Sequence, residues 1–461
     1  MEQLENRSTE QLENKRYEFL SALTQDNLSN EQRADILYQL AKIEKELGFY
    51  TDAYMYIKKA YSLNPNEKEY KKEYVNYKSA YESQINIPFE ENKICVYAIC
   101  KNESQFVERW YESMKEADAI VVLDTGSTDD TVEKLKSLGV TVETKIFNPW
   151  RFDLARNYSL KLAPQDCNIL VCTDLDEILE PGWAATLKEH WREFQTKRCY
   201  YKYTWSHLSN GEEGRTFCYD KIHSRGWTWR FPVHEMLWYP ANETGDAAPA
   251  ETINLFNEIH LHHYPDYSKS RSSYLPLLEQ RAKENPDDWY GLIYLSHEYY
   301  YRGMYEKSNE TLKNILDKYK NHYSPLEQAS CYLFMGDNYK ALQNAEEAIR
   351  CYNIAINMQN GYREPYLGLG SLLIDLERYE EAIKILKAGV RNTWRHYTWL
   401  ERDTSWTYEP WDLLCLACFY GGEKKEAIVY AAKALSYDPE NERLQNNLQL
   451  CLENSSDIIL L

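Results

Sequence analysis

Three regimes of hydrophobic patterning follow one another along the chain. Near the start, ILYQLAKIEKELGFYTDAYMYIKKAYSLNPNE (36–67) spaces its apolar residues at helical intervals and closes on Pro65. That spacing predicts one helix pair. Between Ile94 and His263 the period shortens. KICVYAI, AIVVLD, VTVETKIF and NILVCT read as short buried strands, and VERWYESMKEA and FDLARNYSLKLA as the helices between them. Strands alternating with helices predict a largely parallel α/β sheet. Toward the C-terminus the helical period returns with a repeat. Gly336, Tyr339, Ala348, Tyr352 and Ala355 are followed, one 34-residue unit on, by Gly370, Ala382 and Leu386. Ala427, Ala434 and Pro439 mark a third unit, and a weaker one covers 289–316. This is tetratricopeptide spacing: small residues let paired helices approach, and Pro ends the unit. An insert around RNTWRHYTWLERDTSWTYEPW separates the second and third units. The expected domains are 1–90 (helical, one repeat-like pair), 91–268 (α/β) and 269–461 (all-α repeats).

One helix pair cannot bury its own apolar face. The N-terminal pair must therefore pack on the central domain or on another chain, and the second option points to a homodimer. In a parallel sheet, ligands sit beyond the carboxyl ends of the strands. Three polar turns fall there: Asn102-Glu103, Asp124 and Asp174-Leu175-Asp176. Two ionised carboxylates held close together repel, and a cation between them relieves the repulsion. An oxygen-rich site suits a hard divalent ion, Mg2+ or Mn2+, which can neutralise a diphosphate leaving group.

The remaining composition mainly excludes. The net charge of −19 argues against a nucleic-acid partner. No apolar run is long enough for a membrane span, and the charged opening MEQLENRSTEQLENKRYEF is no signal peptide. With no export signal, the eleven cysteines read as reduced thiols of a cytoplasmic protein. Cys415 and Cys418 form a CxxC with no second pair to complete a zinc site, so they read as small buried helix residues.

The segments AICKNES, VLDTGSTDDT, FDLARN and CTDLDEIL, in that order and spacing, resemble the family 2 glycosyltransferases of the GT-A fold (Rossmann-like, mostly parallel sheet). The resemblance covers roughly Lys93 to Tyr267. Within the family the chain is similar to the branch with C-terminal tetratricopeptide repeats, which includes peptide S-glycosyltransferases of bacteriocin pathways. The resemblance implies a nucleotide-sugar donor, usually a UDP-sugar, a divalent metal (Mn2+ or Mg2+) and hexosyl transfer with inversion. It places Asn102 and Glu103 at the first nucleotide-binding turn and Asp124 near the uridine. Thr125 stands where the commoner family spelling has a second acid. Arg156 is expected beside the nucleotide. Asp174 and Asp176 are expected at the metal, with Asp174 also facing the nucleotide sugar and Asp176 coordinating directly.

Inversion needs a carboxylate to accept the acceptor's proton. The branch carries a His-Glu at this stage of the fold, here in WRFPVHEML, which makes Glu235 the candidate base. His234 and Arg230 would be its neighbours, and Asp220 and Asp266 are alternative acids. In IHLHHYPDY, strand alternation puts Ile259, Leu261 and His263 on one face and His260 and His262 on the other. The branch pattern makes His263 a further metal ligand, with His262 as runner-up. Lys269 and Arg271 would screen the departing diphosphate. The acceptor would be a hydroxyl or thiol, on a peptide or protein held by the repeats or on a glycan or lipid. The rival readings are a non-catalytic repeat scaffold with a degenerate transferase domain, and a nucleotidyltransferase.

Overall fold

The structure, a computed structural model, describes residues 2–193, 195–239, 251–266 and 272–454. The chain divides into two compact units, Met1–Lys202 with Tyr219–Asp287, and Tyr203–Cys218 with Asp288–Leu461.

The first unit opens with α1 (Glu2–Ala22), α2 (Asn30–Glu46), α3 (Tyr50–Leu63) and α4 (Lys68–Ile85). Helix α2 starts at a capping box: the Ser29 hydroxyl accepts from the Gln32 amide, and the Gln32 side chain accepts from the Ser29 amide. The apolar face of these helices is covered by the chain's own α/β domain. Leu20, Ala53 and Ile57 share one core cluster with Ile99, Leu123 and Leu154. The first of the two expected packing modes is thus realised, and the pair gives no ground for a homodimer.

The α/β domain runs β1 (Ile94–Cys100), α5 (Val107–Met114), β2 (Ala119–Asp124), α6 (Thr131–Ser137), β3 (Thr141–Thr144), α7 (Phe152–Lys161), β4 (Ile169–Thr173), β5 (Glu177–Leu179), α8 (Trp183–His190), β6 (Thr196–Thr204), β7 (Thr216–His223), β8 (Thr228–Arg230), β9 (Met236–Trp238) and β10 (Glu251–His263). The main sheet has the order β3-β2-β1-β4-β7-β6-β10-β5, and β8 and β9 form a separate ribbon. The first four strands are parallel, and β7 joins β4 antiparallel. β1 is buried along its whole length, which accounts for its unbroken apolar run. α9 (Tyr274–Glu284) closes the unit.

The second unit contains α10 (Trp289–Tyr301), α11 (Tyr305–Lys318), α12 (Pro325–Ala341), α13 (Ala345–Met358), α14 (Glu364–Asp375), α15 (Tyr379–Asn392), α16 (Glu409–Tyr420), α17 (Lys424–Tyr437) and α18 (Glu442–Glu453). The repeat glycines act as expected. A Cβ at Gly336 would stand 2.6 Å from the Tyr352 ring, and one at Gly370 would collide with the Leu386 side chain, so each helix closes on its partner there; Gly368 likewise packs on Tyr352. Cys415 and Cys418 are buried in α16. The insert between α15 and α16 lies against the first helices of three successive pairs. Trp399 stacks on Tyr294 of α10 (4.9 Å between ring centroids), Arg402 pairs with Asp337 of α12, and the Arg402 amide donates to Glu364 of α14 at 3.2 Å.

Candidate functional site

Three turns leave the parallel strands at one level. Asp124 pairs with Cys100, and Thr173 pairs with Ala98, so residues 174–175 stand beside the end of β1. Adjacent strands are about 4.8 Å apart. The first two turns are stapled together by their own polar groups. The Asp124 carboxylate accepts from the Gly126 and Ser127 amides at 3.3 and 2.9 Å, and Thr125 donates to the Cys100 carbonyl at 2.9 Å. Asn102, at φ +54°, accepts from the Thr128 amide at 2.7 Å while its own amide donates to Ser127. The Glu103 amide donates to Thr131 at 2.8 Å. Polar residues at strand ends thus fix loop shape first. Asp124 and Thr125 are buried, whereas Asn102 is exposed at the rim.

The third turn carries the charge. Arg156, buried on α7, donates through Nη2 to Asp174 (2.8 Å to Oδ1) and through Nε to Glu235 Oε1 at 2.9 Å. One guanidinium therefore joins the aspartate after β4 to the candidate base in the loop after β8. Lys221, buried on β7, stands 3.5 Å from Asp174 and 2.7 Å from Glu177. Burial works against the Asp174 charge, but Arg156 and Lys221 outweigh it and bring its carboxyl down to about 2. Burial works equally against the Lys221 ammonium, and Glu177 and Asp174 overcome it, raising that group well above its usual range.

The repulsion expected between Asp174 and a neighbouring acid is thus relieved by the chain's own cations. Asp176 differs. Its Oδ2 lies 3.3 Å from His263 Nε2, and the Tyr264 amide donates to its carbonyl at 2.8 Å. Strand alternation works as expected: Ile259, Leu261 and His263 are buried, and His260 and His262 point to the other face.

The loop bearing Glu235 is held under strain. Phe231 has φ +83° and His234 φ +47°, the left-handed region that side chains rarely adopt. Arg281 of α9, fully buried, secures it by donating to the Val233 and His234 carbonyls at 3.1 and 2.7 Å and packing 3.8 Å from the Phe231 ring centre. The Pro232 carbonyl accepts from the Phe152 amide at the start of α7 (3.0 Å). The helix that carries Arg156 and the loop that carries Glu235 are therefore tied together. Beneath them, Trp229 donates to Tyr97, whose hydroxyl lies 2.6 Å from His223 Nε2. Burial pushes His223 down to about 4.

Of the alternative acids, Asp220 is paired with Arg198 at 2.7 Å, and Asp266 accepts from Gln105 at 3.2 Å. His262 contacts Glu180 instead of Asp176. Arg230 reaches Asn285 at 3.3 Å. Lys269 and Arg271 lie outside the described residues. Sequence reasoning missed Lys221 and Arg281, and it noted Glu177 beside Asp174 and Asp176 without giving it a role. A lysine directly before Ile222 in a strand-like run was the available signal for the first.

Asp176 Oδ2 and His263 Nε2 offer one oxygen and one nitrogen at a separation that a divalent ion can bridge, and this set fits Mn2+. Asp174 is already compensated by two cations.

Residues 95–240 match the family model "Glycosyl transferase family 2", and residues 34–67, 329–362 and 364–392 match "Tetratricopeptide repeat". No curated protein matches. Among solved structures, a thermophilic repeat protein of Thermus thermophilus is 22% identical over 39% of this chain and 89% of its own, at a TM-score of 0.31. MamA of Desulfovibrio magneticus is 19% identical over 37% and 87%, also at 0.31. PilF of Pseudomonas aeruginosa is 17% identical over 38% and 71%, at 0.31. No described helix is long and apolar enough to cross a membrane. Residues 95–240 thus form a family 2 glycosyltransferase domain of mostly parallel α/β architecture, joined to tetratricopeptide repeats, and that domain supports glycosyl transfer as a general activity.

Proposed function

We propose that this protein is a metal-dependent, inverting hexosyltransferase that moves a sugar from a UDP-sugar to a hydroxyl or thiol of a peptide or protein. The observation that carries this reading is the single guanidinium of Arg156 that contacts both Asp174 and Glu235. It brings a strand-end acid and a candidate base to one point, as transfer across a short gap requires.

Glu235 is the general base: its carboxylate takes the proton from the acceptor atom as that atom attacks the anomeric carbon. Arg156 orients Glu235 through its Nε contact, and Arg281 positions the loop. Asn102, Glu103, Asp124 and Thr125 form the nucleotide rim. Mn2+ or Mg2+ would be held by Asp176 and His263, and when bound it supplies positive charge for the diphosphate. Asp174, fixed by Arg156 and Lys221, faces the donor. Arg271 is a further candidate for diphosphate screening.

The repeats in the same chain favour a peptide or protein acceptor. The insert already covers part of α10, α12 and α14, so the acceptor surface lies elsewhere on the repeats.

A UDP-sugar panel tested by thermal shift with and without Mn2+, followed by mass spectrometry of acceptor digests, tests the reading. The expected result is one stabilising donor and one sugar mass added to the acceptor. Release of pyrophosphate would instead mark a nucleotidyltransferase, and no turnover of any donor would mark a scaffold.

A further inference from the structure

The edge of the main sheet carries a second group of ligating side chains, on the face opposite His263. His260 and His262 are two residues apart on β10 and so project to the same side. Glu180, one residue past β5, meets them. Its amide donates to the His260 carbonyl at 3.0 Å, which fixes the pairing of the two strands. Glu180 Oε1 lies 3.0 Å from His260 Nδ1 and 3.0 Å from His262 Nε2. The imidazole centroids are 3.8 Å apart, and one ligand atom from each of the three residues falls within 4.8 Å of the others.

We propose that Glu180, His260 and His262 bind a borderline divalent transition-metal ion of the Zn2+ type, at a site separate from Asp176 and His263. The donor set selects the ion class. Two imidazole nitrogens with one carboxylate oxygen suit Zn2+, whereas Mg2+ prefers an all-oxygen shell. The spacing also fits. With metal–ligand bonds of about 2.0–2.1 Å, tetrahedral neighbours stand about 3.3 Å apart, close to the 3.0 Å separations here. A single divalent ion satisfies all three groups at once. The ligands sit on or beside paired strands, so little ordering is needed for binding. The histidines are mostly buried while the Glu180 side chain is 57% exposed, so the site opens to solvent and keeps a position for water.

The consequence lies on the other face. β5 begins one residue after Asp176, and β10 ends at His263. An ion clamping Glu180 to β10 fixes the same two strands that set the distance between Asp176 and His263. The effect on donor turnover rests on the proposed function, but the binding itself does not.

The test is Zn2+ titration of the chelator-stripped full chain by calorimetry. Co2+ is used as a visible probe, because a low-coordinate imidazole site absorbs far more strongly than an octahedral one. Wild type should bind Zn2+ and gain thermal stability, and Asp176→Asn should keep this site. The double variant His260→Ala/His262→Ala should lose it, and Glu180→Gln should bind about 10–100-fold more weakly. Far-UV circular dichroism confirms that the variants are folded. If a double variant proves unfolded, the Co2+ spectrum of wild type still decides, and a weak octahedral spectrum overturns the site. The proposal is also overturned if wild type binds no Zn2+, if the double variant binds like wild type, or if Asp176→Asn abolishes binding.

Discussion

Asp174 and Asp176 stand two residues apart in one turn, yet they face regions of opposite character. Asp174, itself a third exposed, caps a cluster in which two buried cations, Arg156 and Lys221, meet three carboxylates, Asp174, Glu177 and Glu235. Asp176 looks toward the sheet edge, where its partner is an imidazole. The first region balances most of its charge with covalently attached groups. The second has a carboxylate and a nitrogen that an ion can share. Paired acids at a strand end therefore do not by themselves imply an ion between them, and the surrounding cations decide which acid is left to bind one.

The sharpest break between the regions is chemical. Glu235→Gln keeps the shape and an acceptor for Arg156 but removes the proposed base. The turnover rate should fall about 10²–10⁴-fold, with the urea midpoint nearly unchanged. Next in size is Arg156→Met, which strands Asp174 and Glu235 without their shared cation. Unfolding stability should drop by about 3–5 kcal/mol, read as a lower urea midpoint at constant slope. A smaller effect comes from below the cluster. His223 sits at about 4 in the fold against an ordinary 6.5, so the unfolded chain binds the extra proton between those values. Its contribution is complete above pH 6.5 and is lost as pH falls toward 4, by at most about 3 kcal/mol. His223→Gln should flatten that part of the stability-against-pH curve. The smallest change is expected at the edge. Asp176→Asn should leave stability within about 0.5 kcal/mol while raising the Mn2+ concentration for half-maximal activity about tenfold or more.

Much of this architecture was legible in the chain itself. The unbroken apolar run of β1 and the polar turns after β1, β2 and β4 marked a parallel sheet and the level at which those turns gather. Glycine spacing against Tyr352 marked the repeats. Alternation in β10 separated His263 from His260 and His262, because a period of two is a local property. What was not legible is non-local. Lys221 reaches Asp174 only because β7 pairs antiparallel with β4, and no spacing in the sequence announces that. The same holds for Arg281, which grips the Glu235 loop from a helix more than forty residues away. The docking partner of the N-terminal helix pair was left between two options, since an apolar face does not name what covers it. The insert's course along α10, α12 and α14 had no periodic signature at all.

The central claim is glycosyl transfer that depends on a divalent ion at the edge and a base in the interior cluster. It is tested most directly by UDP release from a UDP-sugar donor, titrated with Mn2+, in wild type, Asp176→Asn and Glu235→Gln. The account predicts Mn2+-dependent release in wild type, a rightward shift of the Mn2+ curve in Asp176→Asn, and a collapsed maximum with an unshifted curve in Glu235→Gln. Identical curves for all three proteins would contradict it.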